Sequence, residues 1–367
     1  MTSKEKITAI FAGDKSVGMG VCEHFWPETV VEWTKKGILK EGEDIDIHFN
    51  FDILRQWASG NLMADPYHPE TIIEETEETK LCRNGNGAIL RYWKKHSGTP
   101  EHVDFEIKTY KDWSEKIKPC VLDKSLYEKR VEEVLPLYRA KRKLAKDNNK
   151  FFCWAGVSLF EIMHPVCGHE YMLMAMALDP DWIHEMGEVY TELVLDLQKI
   201  IFDREGMPDC IWYYEDMGFK NKPFMSPGMY MELVQPYQKR LFAAAHKMGK
   251  PVMVHSCGYV EQLIPGLIDA GMNCLQAMEV KAGMDVVKIA NDYAGKIALC
   301  GGLDIRVLET NDKKQIKSYL EKTLPPVLAK VPFILHTDHS IPLTVEYDTY
   351  RYFIDTAFEI EAKTKRN

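Results

Sequence analysis

From about Phe151 onward, short apolar runs alternate with longer amphipathic stretches, the pattern of strand and helix units repeated around a parallel sheet. Phe151 to Val157, Cys210 to Glu215, Pro251 to Cys257, Asn273 to Met278, Lys296 to Leu299 and Pro332 to His336 are predicted strands. Between them, Pro227 to Met248 is a predicted helix, with Ser226 as its cap, Pro227 in its first position and Gly249 beyond its end. Asp312 to Lys330 is another, interrupted by Pro325-Pro326. Toward the N-terminus, Pro27 to Lys36 reads as a helix ended by Gly37, and Asp44 to Asp52 alternates like a strand and is the candidate first strand of a barrel. Asn84-Gly-Asn-Gly87, between two apolar segments, reads as a hairpin turn and places an antiparallel insertion at about 78–110. With no Pro-, Gly- or Ser-rich linker, the expected architecture is α/β, a single (β/α)8 TIM barrel over 1–367, with 1–45 as an N-terminal extension.

Composition narrows the function more than the fold. A chain of 367 residues could be two average domains or one large barrel. Its net charge of −9 argues against a nucleic-acid partner, which calls for clustered Lys and Arg. The basic stretch Arg139 to Lys150 is broken by Leu144, Ala145 and Asp147 and reads as a solvated helix face. The first residues contain neither a signal-peptide core nor a membrane span, so a cytoplasmic location without membrane contact is expected. Nine cysteines, widely scattered and without a Cys-x-x-Cys pair, fit reduced thiols better than a disulfide framework.

Chemistry gathers at the predicted strand ends. His255 and Cys257 lie two apart at the exit of one strand, so a strand's alternation turns both to one face. In a barrel, donors from neighboring strands converge on one mouth. There Glu215 and Asp216 end one strand, and Glu279, Cys300 and Asp304, then His336, Asp338 and His339, end others. Zinc takes thiolate, imidazole and carboxylate donors and keeps one position open in catalytic sites, a requirement that three or four of His255, Cys257, Glu279 and Cys300 would meet. A buried Cys taken singly is ordinarily a small core hydrophobe, and a lone His at a strand end can simply satisfy a carbonyl. The conjunction on consecutive strands is what points to metal. Asp216 is expected to face the mouth and orient a substrate or ligand, with Glu215 as its catalytic neighbor, while Tyr214, Gln276, Asp304, His336, Asp338 and His339 are the candidate substrate contacts.

Other motifs fall away. His169-Glu-Tyr-Met-Leu begins like a zinc-protease helix, but Leu173 stands where the second His is needed. Gly85-Asn-Gly87 lacks the third glycine of a dinucleotide loop, and Gly13-Asp-Lys-Ser16 lacks the first glycine of a phosphate loop. Cys153, Cys167, Cys210 and Cys274 read as core residues, as do Trp212-Tyr-Tyr214 and Met172 to Met176.

From about Phe151 to Ile360 the chain resembles the uroporphyrinogen decarboxylase superfamily, specifically its corrinoid-dependent methyltransferase branch. The resemblance is carried by Glu215-Asp216-Met217, Ser226-Pro227, Tyr237 to Leu241, His255-Ser-Cys-Gly258, Val280 to Asp285 and Gly301-Gly-Leu-Asp304, and Phe25 to Thr29 is similar to the family's N-terminal segment. The Arg-rich substrate signature of the decarboxylases is not found here. The methyltransferases bind zinc through a His-x-Cys pair and a later Cys, but the final loop of this chain, His336-Thr-Asp338-His339-Ser340, has no cysteine. Glu279 and Cys300 instead resemble the carboxylate and soft donor of ether-cleaving members. The resemblance implies a zinc-dependent methyltransferase that moves a methyl group from a small methoxylated compound, aromatic by preference, to the cobalamin of a separate corrinoid protein. The alternatives are methyl transfer from methylcobalamin to a thiol or tetrahydropterin, a uroporphyrinogen decarboxylase, and a noncatalytic corrinoid-binding partner. Whether the chain forms a homo-oligomer is left open.

Overall fold

A computed structural model describes residues 1–68, 70–95 and 98–364. Eight parallel strands form the main sheet: β1 (Gly20–Val21), β2 (Ile53–Trp57), β3 (Phe151–Val157), β4 (Cys210–Tyr214), β5 (Val252–Ser256), β6 (Cys274–Ala277), β7 (Ala298–Cys300) and β8 (Phe333–Leu335). They pair in the order β1-β8-β7-β6-β5-β4-β3-β2, so the sheet curls until its first two strands face each other. Asp52 bridges that seam: its backbone N–H donates to the Val21 carbonyl at 2.8 Å, and its carboxylate accepts from Val21 N–H at 3.0 Å. The same carboxylate accepts from Ser3 Oγ at 2.7 Å and Lys6 Nζ at 2.8 Å, which ties in the helix Ser3–Phe11. Ile7 and Ile10 of that helix join the lining of the barrel, and Gly20 leaves room for Ile7, whose Cδ1 lies 2.4 Å from where a Cβ would stand.

The strands are apolar throughout because helices cover the outside and side chains fill the inside. The inward residues stack in layers. Phe151, Cys153, Cys210, Trp212, Met253, Cys274, Cys300, Ile334 and Cys22 form an apolar interior, which accounts for five of the nine cysteines. Cys22 Sγ and Cys300 Sγ lie 3.8 Å apart in it, as free thiols. One step further along the strands the lining turns polar, with Tyr214, His255 and Gln276 in register across β4, β5 and β6.

Several predicted elements need correction. Asp44 to Asp52 is not a strand: Asp44 caps a one-turn helix, Ile45–His48, by accepting from the N–H groups of Asp46 and Ile47, and the barrel strand follows at Ile53. The predicted N-terminal extension holds the first barrel strand within it. Pro227 to Met248 is two helices, Pro227–Leu233 and Gln235–Lys247, divided before Pro236, which cannot supply a helical N–H. The insertion is a four-stranded antiparallel sheet of Thr71–Glu75, Thr79–Arg83, Ile89–Trp93 and Glu101–Asp104, so it begins earlier and ends sooner than expected. Among the described residues no helix is long and apolar enough to cross a membrane.

Asp52→Ala would leave the buried Val21 N–H without its acceptor. It is expected to lower the unfolding free energy by about 1–3 kcal/mol, measured by urea titration, with no shift in the position of the sheet's far-ultraviolet signal.

Candidate active site at the barrel mouth

His255 ends β5, and the chain leaves through Cys257 and Gly258. Gly258 has φ +73°, and a Cβ there would stand 2.2 Å from the carbonyl carbon of Gly218. Only glycine fits that crossing, where the hairpin Gly218–Phe219 and Lys222–Pro223 leans on the loop, with Tyr259 N–H donating to the Phe219 carbonyl at 2.9 Å. The loop is held from two more sides. Asp216 Oδ1 accepts from Cys257 N–H, and Glu279 Oε2 from Gly258 N–H, both at 2.8 Å.

These bonds bring three donor atoms together. His255 Nε2 lies 3.2 Å from Cys257 Sγ and 3.2 Å from Asp216 Oδ1, and the three residues form one group able to hold a metal ion. On the far side of the ring, His255 Nδ1 is hydrogen-bonded to Gln276 Oε1. An amide oxygen can only accept, so Nδ1 carries a proton and the tautomer leaves Nε2 directed at the group. The Tyr214 ring lies against the imidazole, with centroids 4.5 Å apart. Burial would raise Asp216 and lower His255, but each offsets this for the other: His255 holds the Asp216 carboxyl below its ordinary value, and Cys257 and Asp216 hold the His255 imidazole well above its own. A thiol, an imidazole and a carboxylate, donor types that suit zinc, thus converge at one point, with Asp216 and Cys257 on the wall of a cavity of about 560 Å³. Glu161, His164, His169, Phe219, Phe224 and Glu279 are among the cavity's walls.

The other predicted site residues are placed differently. Cys300 is not brought to the group: it is fully buried, in register with Ile334, two residues short of His336 and in the apolar layer beneath the mouth. Burial raises its thiol well above the ordinary value. Glu279 reaches the cavity wall but lies outside the group, with one oxygen engaged by Gly258 N–H. Glu215 is buried and accepts from Phe160 N–H, Glu161 N–H and Gln238 Nε2. It anchors the helix Leu159–Leu178 and does not face the cavity. Gln276 serves His255, and its Nε2 lies 3.5 Å from His336 Nε2. Asp304 caps a helix and pairs with Arg306. Asp338 accepts from Val280 N–H and Ile305 N–H, both at 2.8 Å, and burial pushes its carboxyl up to about 6. His339 is exposed, its ring 6.1 Å from that of Trp26.

Sequence reasoning missed Glu161 and His164, which line the cavity 3.0 Å apart, and Glu23, His24 and Arg55, which reach the polar lining. The first pair had a signal, a carboxylate and an imidazole three apart just past the exit of β3. Glu23 and His24 had none, since the two-residue β1 before them carries no periodicity. Both oxygens of Glu23 accept backbone N–H groups, from His24 and Thr337 at 3.0 Å each, and Oε1 lies 3.1 Å from His336 Nδ1. His24 lies between Tyr214, whose hydroxyl is 3.1 Å from its Nε2, and His336.

A match to the family model for uroporphyrinogen decarboxylase (URO-D) extends over residues 114–360. The chain belongs to the URO-D family. The matched segment holds β3 to β8 and the Asp216, His255 and Cys257 group, while β1, β2 and the inserted sheet precede it. Among solved structures, the methyltransferase from Methanosarcina mazei is similar over 98% of this chain and 99% of that chain, with a TM-score of 0.68 at 13% identity, a likeness of fold. A xylose isomerase domain protein from Alicyclobacillus acidocaldarius is similar over 62% of this chain and 83% of that chain, with a TM-score of 0.34 at 11% identity. No curated protein matches the sequence.

Within this URO-D barrel, burial pushes the Glu23 carboxyl up to about 8 from an ordinary 4.5. The folded state therefore binds more protons than the unfolded one between those values, so this group's contribution to stability is full below about 4.5 and is lost as pH rises toward about 8. Glu23→Gln removes that slope and leaves one backbone N–H without an acceptor. The variant is expected to be less stable by about 1–3 kcal/mol at the acid end of the window, and to approach the native protein as pH rises, in urea unfolding repeated across the range.

Proposed function

We propose that this protein is a zinc-dependent methyltransferase, moving a methyl group from a small methoxylated compound, aromatic by preference, to the cob(I)alamin of a separate corrinoid protein. The observation that carries the reading is the convergence of Asp216, His255 and Cys257 beside an open cavity at the carboxyl ends of the strands. Those three residues would hold the zinc, which supplies Lewis acidity to an oxygen that gains negative charge as its methyl group departs. Glu279 and Cys300 are not needed as ligands in this assignment.

The remaining residues bind and orient. Gln276 fixes the His255 tautomer, Gly258 and Glu279 shape the loop, and Tyr214 packs on the imidazole. Phe219 and Phe224, with centroids 5.4 Å apart, give the cavity an apolar aromatic wall suited to a flat ring. A decarboxylase of a tetrapyrrole polycarboxylate is disfavored because the chain lacks the decarboxylases' Arg-rich signature, and the two lysines of the cavity wall, Lys220 and Lys281, are offset there by Glu161, Asp216 and Glu279. An acceptor bound by the protein itself is also disfavored, since a corrin ring is large relative to a cavity of about 560 Å³ and would have to approach from outside.

A methoxyarene, this enzyme and cob(I)alamin are expected to give methylcobalamin, followed by its visible absorbance, with about one zinc bound by the three residues. Polarization worth several kcal/mol implies that His255→Ala loses on the order of 100-fold or more in rate. If no methoxylated donor reacts and methylcobalamin instead loses its methyl to a thiol or tetrahydropterin, the direction is reversed. If metal-free protein is fully active, the zinc assignment fails. Gln276→Leu, which frees the His255 ring without touching a ligand, is expected to weaken zinc about 10- to 100-fold in competition with a chromophoric chelator.

A further inference from the structure

A second cluster of donors lies beside the three residues above, with His164 and His169 on the wall of the same cavity as Asp216 and Cys257. His102 comes from the last strand of the inserted sheet, Glu101–Asp104, and His164 and His169 from the helix Leu159–Leu178. Each offers a ring nitrogen within 4.8 Å of the others. In a straight helix, side chains five residues apart point about 140° away from each other. Gly168, with φ +77° and ψ 157°, breaks the helix between the two histidines and lets their rings stack, with centroids 4.2 Å apart. The same glycine admits the sheet: a Cβ there would stand 2.6 Å from Cε2 of Phe105, three residues beyond His102. The His102 ring lies 5.8 Å from that of His169 and 5.9 Å from that of His164.

We propose that His102, His164 and His169 bind a divalent first-row transition ion, a second metal site that pins the inserted sheet to the barrel. Three imidazoles without a thiolate or a direct carboxylate suit a borderline ion such as zinc, cobalt or nickel. One ring nitrogen is also unclaimed. His164 Nε2 is 3.0 Å from Glu161 Oε1, while its Nδ1 is shielded from solvent and has no hydrogen-bond partner among the described residues. A carboxylate on one nitrogen of a ligating imidazole is the usual arrangement around a bound metal. Burial keeps all three rings neutral, with His164 and His169 pushed down to about 4, and in His169 the neighboring imidazoles add to the effect. Neutral rings are the ligating form. The strand that brings His102 lies before residue 114, where the URO-D match begins, so the site joins the matched barrel to a segment outside the match.

The test is titration of the metal-stripped full chain with cobalt(II), compared among the native protein, His102→Ala, and the double variant His255→Ala with Cys257→Ser. The native protein is expected to bind two equivalents, one showing thiolate charge-transfer absorbance and one only the weaker d–d bands of nitrogen ligation. His102→Ala should lose the second and keep the first, and the double variant should do the reverse. If His102→Ala binds as many equivalents as the native chain, the site is an aromatic stack of histidines and the inference is overturned. If the double variant loses nothing while His102→Ala loses one equivalent, the second site stands and the zinc assignment at Asp216, His255 and Cys257 falls. Should His102→Ala fail to fold, the native titration decides: a second equivalent without further charge-transfer absorbance supports the site, and its absence rejects it.

Discussion

A β-strand turns alternate side chains to opposite faces, and in a closed barrel this makes depth along the axis a property shared by all strands. The strand-borne side chains of the candidate site are governed by that shared depth. Trp212, Met253 and Cys274 occupy one level and Tyr214, His255 and Gln276 the next, because β4, β5 and β6 run in register. The change from apolar to polar lining is one step of the pleat. A residue one level too deep is surrounded by carbon and sulfur, whatever its chemistry, and one level higher it joins the polar lining of the mouth.

This explains which parts of the molecule were legible in its sequence. β3 to β8 are apolar on both faces and bounded by turns, so they stand out as runs, and Phe151–Val157 has the same limits in both. His255 and Cys257 were legible as a pair because their spacing lies within one chain segment. Cys300 illustrates the opposite case. It also ends a strand, but its depth is set by pairing with Ile334, a relation between strands that no local pattern contains. Asp44 to Asp52 misled because polar and apolar residues alternate there by coincidence of a capped helical turn and of Phe49 and Phe51, which pack with Phe25. Asp216 was read as an orienting group, yet its oxygen meets the nitrogen of His255 directly, since it is displaced just beyond its strand's end.

The mouth is rigid where chemistry is placed and shared where the chain is variable in origin. The loop after β5 is held by Asp216, by Glu279 and by the contact of Gly258 with Gly218, so the side chain of Cys257 is carried on a braced backbone. The cavity wall, in contrast, is completed by Thr99 from the inserted segment. Part of the wall therefore comes from a segment of the chain that does not build the barrel.

The order of strands has a consequence for how the molecule is made. β1 pairs with β8 and is bridged to β2 by Asp52, although β1 and β2 are the first two barrel strands in chain order. During translation the earliest strand therefore has no sheet partner until residues 333–335 have left the ribosome. Until then the growing sheet has two open edges, and its apolar lumen is exposed at the side that β1 will close. Such edges invite pairing with other chains, so this barrel is most vulnerable to aggregation in the interval before its last strand appears, and its completion is an event of the whole chain.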